Sequence, residues 1–280
     1  FYGGDLLGVE QKLDHLSSLG VSAIYFTPIF ASKSNHRYDA SSFDEADPLL
    51  GGDQALISLR QAAEKRGIRV MSDLTTNHCG LGHPWIQDAI KNPDSDKREF
   101  FYWSKKSKWG YVGWWNVPSL PKLNYTSQRL RNLMWGNQDS IVRRWIREPF
   151  GMSGWRIDVG NMTGRYYDND YNQEIARSIR AAMEETNPDT WLVAENADFA
   201  ASEAGIVADS FYSARMICSG DGRRPPRFSS LSAAQPAAAA PILLNLSMMA
   251  TLALAPRRLA PAATRRRGRD QFACCSASRA

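Results

Sequence analysis

Amphipathic helical patterns alternate with short apolar runs over the first 200 residues of the chain. Apolar residues recur at helical spacing in 8–20 and in 53–67, where Asp53 is placed to cap a helix and Gly67 to end it. A helical pattern followed by an apolar run occurs four times, with the runs at 21–30, 68–78, 152–159 and 191–196. Strands buried on both faces and joined by helices favour a parallel α/β sheet, either a barrel or a doubly wound sheet.

Acidic residues lie at the ends of three of these runs. Asp73, Asp158 and Glu195 each come at the carboxyl end of a predicted strand. Barrel enzymes keep their reacting groups at that end of the strands, so this placement favours a barrel. We therefore predict a partial (β/α)8 TIM barrel over residues 1–205.

The interval 79–137 is too long for a simple connection between a strand and a helix. We predict that it forms a small subdomain inserted into the barrel, with most of its tryptophans in the core of that subdomain. Some of the aromatic faces could instead serve as platforms for the apolar faces of sugar rings. The interval contains six of the nine tryptophans: Trp85, Trp103, Trp109, Trp114, Trp115 and Trp135.

The net charge of +5 is unevenly distributed. Residues 221–280 contain ten arginines and two acidic residues, so this part carries +8 and the rest of the chain −3. The segment 206–280 is rich in Ala, Arg, Pro and Ser, which predicts a disordered, low-complexity tail, and it resembles coding sequence read in a shifted frame. No nucleic-acid-binding motif accompanies the arginines, so we expect no nucleic-acid partner. Pro241, Asn245 and Ser247 interrupt the apolar run 237–255, so we expect no membrane span.

The cysteines show neither the spacing of a disulfide framework nor that of a zinc site. We therefore expect a reducing compartment and a cytoplasmic location. The chain opens with FYGGDL rather than with methionine, so we expect its natural N-terminus to lie upstream. The four cysteines are Cys79, Cys218, Cys274 and Cys275.

The run GWRIDVGN at 154–161 places two opposite charges inside a predicted strand. Alternate side chains of a strand share a face, so Arg156 and Asp158 point to one side, and Trp155 and Ile157 point to the other. Removing two charges from water costs roughly several kcal/mol, and the attraction between the buried charges often does no more than offset that cost. The pair therefore indicates a functional use, although a salt-bridged barrel interior without catalysis remains an equal alternative at this point.

Two carboxylates at one barrel mouth, one of them beside an arginine, match the requirements of glycoside hydrolysis. Arg156 is expected to keep Asp158 ionised, as a nucleophile requires. Glu195 follows the apolar run 191–194, which should keep it protonated as a proton donor.

Three motifs resemble signature regions of the α-amylase family of glycoside hydrolases, in the family's order. They are DLTTNH at 73–78, GWRIDVGN at 154–161 and VAEN at 193–196. HRYDA at 36–40 adds support, and LPKLN at 120–124 resembles the version in neopullulanases, cyclomaltodextrinases and maltogenic amylases. The resemblance covers about residues 1–200. It implies that the visible strands are approximately the second to fifth of the barrel, with the insert after the third.

The resemblance also implies the roles of the catalytic residues. Asp158 would be the nucleophile, Glu195 the general acid and base, and Arg156 the group that orients and ionises Asp158. The implied activity is retaining hydrolysis of maltodextrin, cyclodextrin or pullulan through an aspartyl intermediate, as in starch degradation.

Further residues are implied to bind the substrate or a metal. His78 would hydrogen-bond the sugar in the cleavage subsite, Tyr38 would stack against it, and Asp39 would pair with Arg156. Asp73 and Asn77 would shape the loop, and Asn77 could help to bind calcium, as in some relatives. No cofactor is expected to be required.

The chain departs from the family pattern in one respect that concerns catalysis. Family members carry a later His-Asp pair whose Asp stabilises the transition state, and this chain has no histidine after His83. Activity is therefore expected to be impaired. Two alternatives stay open: a transglycosylase or isomerase of the same family, and a carbohydrate-binding remnant without turnover. The oligomeric state is not indicated.

Overall fold

The computed structural model describes residues 3–196, 213–217 and 243–246. A six-stranded sheet with helices packed on it forms the framework. Its helices are α1 (Leu6–Glu10), α2 (Leu13–Ser18), α3 (Gly52–Glu64), α4 (Pro84–Lys91), α5 (Gln128–Arg131), α6 (Ile141–Arg144) and α7 (Asn172–Thr186). The strands of this sheet are β1 (Ala23–Phe26), β2 (Arg69–Thr75), β3 (Gly154–Asp158), β6 (Trp191–Asn196), β7 (Ser213–Ile217) and β8 (Leu243–Leu246). A separate two-stranded antiparallel sheet consists of β4 (Arg165–Tyr166) and β5 (Asn169–Asp170).

The sheet has the strand order β7-β6-β3-β2-β1-β8. All its neighbouring strands are parallel except β6 and β7, which pair antiparallel. The parallel α/β arrangement predicted from the alternating pattern is therefore confirmed. Strands β7 and β8 come from the segment predicted as a disordered tail, and the rest of that segment lies outside the described residues.

Among the described residues, the helices cover one face of the sheet. Ile24, Val70, Trp155 and Leu192 point to this face and belong to the main core, together with the buried residues of the helices. On the other face, Tyr25, Met71 and Val193 form a separate small cluster that contains no helical residue. One helical layer outside and a small side-chain layer inside are typical of a barrel wall rather than of a doubly wound sheet.

Two helices differ from their predicted extents. Helix α3 begins at Gly52, one residue before the predicted cap, and the Asp53 carboxylate accepts a hydrogen bond from the Ala46 amide instead (2.8 Å). The sequence DSIVRRWIREPFG at 139–151, which comes before the third apolar run, also has a helical pattern, but only the short helix α6 forms there. Proline at 149 lacks an amide hydrogen and disfavours helical geometry in the residue before it, so the helical pattern could not continue through 148.

The interval 79–137 contains α4, α5 and several short helical turns, and isolated bridges join its segments to one another and to the end of the loop after β2. One bridge pairs His78 with Lys122, and another pairs Phe101 with Leu123. Four of its six tryptophans pack in or against the main core, which the insert shares with the sheet, rather than in a separate core of the insert as predicted. Trp114 and Trp115 do not belong to that core. No helix in the part of the chain that the structure describes is both long enough and apolar enough to cross a membrane.

The contact between β3 and β6 depends on Gly154. A Cβ atom on Gly154 would lie 1.9 Å from the Trp191 carbonyl oxygen, and φ is +145° there. We expect Gly154→Ala to lower the free energy of unfolding by more than about 4 kcal/mol, because the backbone of β6 must move away. Urea denaturation followed by circular dichroism measures this loss.

The matched control for this variant is Gly110→Ala. Gly110 also has positive φ (+80°), but no heavy atom lies within 4 Å of the added Cβ. Only the backbone strain of about 1–2 kcal/mol is then expected. Equal losses in the two variants would show that close strand packing does not set the requirement at 154.

Candidate active site

An acidic cluster surrounds Arg156 at the carboxyl ends of β2, β3 and β6. The parallel register sets Asp73 beside Arg156 and Thr75 beside Asp158. Ile157 pairs with Ala194, so the next residues along the two strands, Asp158 and Glu195, emerge at the same level. Paired residues of parallel strands share a face, which places all the charges on the face opposite the helices.

The guanidinium of Arg156 contacts three carboxylates. Its Nη1 lies 2.7 Å from Asp73 Oδ1 and 2.9 Å from Asp158 Oδ1, and its Nη2 lies 3.1 Å from Glu195 Oε2. The two predicted catalytic carboxylates are thus brought to one rim within the reach of one side chain. When all four groups are ionised, the cluster has a net charge of −2.

Asp73 is fully buried and takes part in the site directly. Its Oδ2 accepts hydrogen bonds from the phenols of Tyr25 (2.5 Å) and Tyr38 (2.9 Å), and its Oδ1 contacts Arg156. Burial raises the pKa of Asp73 to about 6, against the opposing effects of Arg156 and the two phenols. Our expectation of a purely loop-shaping residue is therefore incomplete. Alternation of side chains along β2 could have predicted that Asp73 shares the sheet face of Arg156 and Asp158.

The sequence predicted an ionised Asp158 and a protonated Glu195, and this prediction is wrong for the free protein. Burial, followed by repulsion from Asp73, raises the pKa of Asp158 to about 8, although Arg156 acts in the opposite direction. The apolar run before Glu195 does not enclose its carboxylate, which is 34% exposed and contacts Arg156. Arg156 contacts both carboxylates, so it does not favour ionisation of Asp158 alone. Burial raises the pKa of Asp158 by more than Arg156 lowers it.

The turn after β3 aims a backbone donor at Glu195. Val159 adopts left-handed geometry with φ 49° and ψ 41°, which is a steric outlier for a β-branched residue. Its amide donates a hydrogen bond to Glu195 Oε2 (2.9 Å). Gly160 allows this approach, because a Cβ there would lie 2.8 Å from the Glu195 carbonyl oxygen. The strained turn thus positions a group that contacts a candidate catalytic residue.

His78 is buried beside Tyr38, and both of its ring nitrogens have partners within the chain. Nε2 lies 3.2 Å from the Tyr38 carbonyl oxygen, and Nδ1 lies 3.2 Å from the Asn77 amide nitrogen. Burial, with a further effect of Lys122, lowers the pKa of His78 to about 4, so the ring is neutral. The contacts assign the proton to Nε2. A sugar hydroxyl would have to compete with the Tyr38 carbonyl for this donor.

The predicted pairing of Asp39 with Arg156 is wrong. The Asp39 carboxylate accepts hydrogen bonds from Ser32 Oγ (2.6 Å) and from Ser34 Oγ, within its own loop. Local serine donors thus satisfy Asp39. Asp73, which the sequence did not pair with Arg156, takes the place assigned to Asp39.

Asn77 does not fit a calcium ligand here. Lys122 Nζ donates to Asn77 Oδ1, the oxygen that a metal would need, and also to the Met162 carbonyl oxygen (3.2 Å). The ammonium group is buried, which lowers the pKa of Lys122 to about 8. Among the described residues, no group of three His, Cys, Asp or Glu side chains is arranged to hold a metal ion. The ammonium group of Lys122 thus occupies the position beside Asn77 Oδ1 that a calcium ion would need.

Sequence reasoning did not assign a role to Tyr25 or Lys122. Tyr25 lies in an apolar strand, where an aromatic residue is ordinary core. Lys122 lies in the LPKLN motif, and its burial depends on the insert folding back onto β2.

The comparisons with known proteins agree with this geometry. The family model "Alpha amylase, catalytic domain" matches residues 2–205. A cyclomaltodextrinase from Geobacillus thermopakistaniensis (strain MAS1) is 33% identical over 70% of this chain and 32% of its own length. An intracellular maltogenic amylase from Bacillus subtilis (strain 168) is 32% identical over 76% of this chain and 34% of its own. The chain therefore spans about a third of the length of these curated relatives.

Solved structures show the same relationship. The type III pullulan hydrolase from Thermococcus kodakarensis superimposes with a TM-score of 0.63 at 37% identity, covering 70% of this chain and 33% of that one. Such neighbours are TIM-barrel enzymes, which confirms the predicted fold class.

Removal of the Arg156 guanidinium tests how much the three carboxylates depend on it for the stability of the fold. We expect Arg156→Met to lower the free energy of unfolding by about 3–5 kcal/mol, because three carboxylates lose the guanidinium that they share. The control Arg144→Met removes an exposed ion pair with Asp44 and should cost at most about 1 kcal/mol. Urea denaturation at pH 7 compares them, and similar losses would contradict a central role for Arg156.

The raised pKa of Asp158 predicts a pH-dependent gain in stability for Asp158→Asn. Between pH 3.8 and about 8 the folded state holds a proton that the unfolded state has released, so stability falls as the pH rises. The variant escapes this loss. Its advantage in Tm should therefore grow from pH 4 to pH 8 and then level off, and it corresponds to several kcal/mol, roughly, for a pKa difference of this size.

The control for this pH series is Asp94→Asn. Asp94 lies exposed in the loop between α4 and the short helical turn at Asp96–Phe100 and belongs to no contact of the cluster. Its Tm difference from the unmodified chain should stay flat across the series. An Asp158→Asn advantage that shrinks as the pH rises would contradict the raised pKa.

Proposed function

Because the chain belongs to the α-amylase family of glycoside hydrolases, we propose that it carries the reacting carboxylates of a retaining hydrolase that acts on α-glucans. The observation that carries the proposal is the shared contact of Asp158 and Glu195 with one guanidinium. It brings the two carboxyl groups to the same rim, where a glycosidic bond could lie between them. Retaining glycosidases require two such carboxyl groups roughly 5–5.5 Å apart.

The proposed reaction has two steps. Asp158 attacks the anomeric carbon while the bond to the leaving sugar oxygen breaks, and Glu195 gives its proton to that oxygen. In the second step Glu195 takes a proton from water, the water oxygen bonds to the anomeric carbon, and Asp158 leaves as a carboxylate. Each step returns the proton that the other used, so the cycle balances.

This mechanism requires the proton of the cluster to reside on Glu195 when the sugar is bound. Asp158 is the more buried of the two, and burial favours its protonated form in the free protein. Glu195 is the more exposed and is the group that an entering leaving-group oxygen could draw away from Arg156. Arg156 would then face Asp73 and Asp158 alone, which favours the ionised nucleophile.

The proposed substrates are maltodextrins, cyclodextrins or pullulan. The relatives support this class through their names, cyclomaltodextrinase, maltogenic amylase and neopullulanase. A cytoplasmic location belongs to the same proposal, supported by the free, buried Cys79 and by the intracellular maltogenic amylase among the relatives. The proposal includes no cofactor, and it places no calcium ion at Asn77.

A second candidate is carbohydrate binding without turnover. The exposure of the Trp115 ring, which is 82% exposed, favours it, because an aromatic face can pack against a sugar ring without any reaction. A transglycosylase or isomerase differs from the hydrolase only in the acceptor of the second step. Analysis of the products from maltoheptaose distinguishes these last activities.

Trapping of the covalent intermediate tests the proposal. We expect 5-fluoro-α-D-glucosyl fluoride to add one fluoroglucosyl group to the full chain, and peptide mass spectrometry to locate it on Asp158. Asp158→Asn should give no adduct. Glu195→Gln should still give it, because fluoride leaves without a proton and only the release of the adduct needs the base.

Asp94→Asn serves as the matched control and should label like the unmodified chain. An adduct on another residue would contradict the assignment of the nucleophile. Binding of maltoheptaose without any adduct would instead establish the second candidate.

A further inference from the structure

A chain of buried polar groups joins Lys122 to His78. Lys122 Nζ donates to Asn77 Oδ1, and Asn77 Nδ2 lies 3.2 Å from His78 Nδ1. On the far side of the ring, His78 Nε2 lies 3.2 Å from the Tyr38 carbonyl oxygen. The three linked side chains are 3%, 0% and 1% exposed, so water does not compete for these contacts. The proposed chemistry uses neither Lys122 nor Asn77.

Backbone pairing brings Lys122 to this position. Lys122 and His78 form an antiparallel bridge, and the Leu123 amide donates to the Asn77 carbonyl oxygen (3.0 Å). The Lys122 amide donates to the Val112 carbonyl oxygen (2.9 Å) within the insert. These bonds do not involve the ammonium group, so a change of the Lys122 side chain should leave the pairing in place.

The ammonium group fixes the orientation of the Asn77 amide. An ammonium group has three donors and no acceptor, so the amide atom that faces Lys122 Nζ must be the oxygen. The Met162 carbonyl oxygen accepts a further hydrogen bond from the same ammonium (3.2 Å), which holds it in place. Asn77 therefore offers His78 its amide nitrogen, which is a donor and not an acceptor.

The orientation of Asn77 in turn fixes the state of the His78 ring. Nδ1 faces a donor and must carry a lone pair, whereas Nε2 faces the Tyr38 carbonyl oxygen and must carry the proton. An imidazolium has an N–H group at both positions, so its Nδ1–H would point at the N–H group of Asn77. The contacts therefore favour the neutral ring.

The charges around the ring act in both directions. Burial, followed by Lys122, lowers the pKa of His78 to about 4, and His36 acts the same way. The Tyr38 carbonyl oxygen and the Asp39 carboxylate act in the opposite direction. The ring is thus neutral although an acidic group lies near it.

A reversed Asn77 amide would have the opposite effect on His78. Its oxygen would then face Nδ1, and an imidazolium would find an acceptor at each nitrogen, the second being the Tyr38 carbonyl oxygen. Hydrogen bonds to the charged form favour that form. Lys122 opposes this reversal, because its ammonium group would then face an N–H group.

We propose that Lys122 is a positioning residue, which turns the amide nitrogen of Asn77 toward His78 and thereby keeps His78 a neutral ring with Nε2 as its donor. The use of this arrangement rests on the proposed function, because an Nε2–H group is what a sugar hydroxyl at His78 would need as its donor. The inference deepens that function by giving the insert a part in setting the state of a candidate substrate-binding residue.

The protonation state of His78 tests the proposal. The full chain, labelled with ¹⁵N, is studied without sugar by long-range ¹H–¹⁵N correlation NMR, which shows which ring nitrogens carry a proton. His78→Gln identifies the signals of His78 among those of the four histidines. In the unmodified chain at pH 6 we expect a neutral ring with its proton on Nε2.

Two variants should change this state. Lys122→Met keeps an unbranched side chain but removes its donors, so Asn77 can reverse. We expect the pKa of His78 to rise by about 1 or more, which is a tenfold change in the ratio of charged to neutral ring. Asn77→Asp keeps Lys122 but presents only acceptors to Nδ1, and at pH 6 it should give protons on both ring nitrogens.

A double-mutant cycle separates positioning through Asn77 from a direct effect of the Lys122 charge. Asn77→Leu removes the amide without adding a charge. If Lys122 acts through Asn77, Lys122→Met should shift the pKa of His78 less than half as far in the Asn77→Leu background as in the unmodified chain. An equal shift in both backgrounds would show a direct charge effect and would overturn the proposal.

The control variant is Lys97→Met. It removes another ammonium group of the insert, one that pairs with Asp96 (2.7 Å), and should leave His78 unchanged. Circular dichroism checks the fold of each variant, and Asn77→Asp tests the same step if Lys122→Met does not fold. A His78 ring that stays neutral in both Lys122→Met and Asn77→Asp would contradict the positioning role.

The outcomes also separate this inference from the proposed function, because the NMR measurement needs no sugar. A fluoroglucosyl adduct on Asp158 together with an unchanged His78 in every variant would overturn the positioning role and leave the proposed function standing. The expected changes at His78 in a chain that forms no adduct would establish the positioning role and count against the proposed reaction.

Discussion

One guanidinium determines the arrangement of the candidate site. Arg156 contacts carboxylates from three adjacent strands, and these carboxylates would repel one another at one rim without a shared cation. Two of the three carboxylates, Asp73 and Asp158, are buried, so water does not stabilise their ionised forms. The cluster therefore combines three carboxylates with one guanidinium, and burial together with repulsion from Asp73 raises the pKa of Asp158 to about 8.

The hydrogen bonds around this cluster also hold the fold together. Tyr38 joins the loop after β1 to Asp73, and the Tyr38 carbonyl oxygen faces His78 at the end of β2. Lys122 then ties the insert to Asn77 and to the turn after β3. Buried polar groups require hydrogen-bond partners, and here the partner of a group in one segment comes from another segment. The loop, the insert and the strand ends consequently form one polar network, and a change in the insert can reach the site.

Left-handed backbone geometry occurs in the turn after β3 and in two further loops. Val159 aims its amide at Glu195, Trp115 lies in the insert and Tyr167 lies between β4 and β5, and all three have left-handed φ values. Local geometry of this kind disfavours folding and persists only where surrounding contacts fix it. At Val159 this geometry directs a backbone donor at a candidate catalytic carboxylate, which agrees with a site that uses it.

The sequence by itself determined the fold class, the family and the face of the sheet that carries the charges. Periodicity and side-chain alternation are local properties of the backbone, so Arg156 and Asp158 could be placed together from the residue order alone. Only the tertiary structure decided that Asp73, not Asp39, completes the ion cluster, and that Lys122 occupies the oxygen of Asn77. It also decided that burial outweighs Arg156 in setting the pKa of Asp158. These outcomes depend on distances and desolvation between segments far apart in the chain, which no local pattern records.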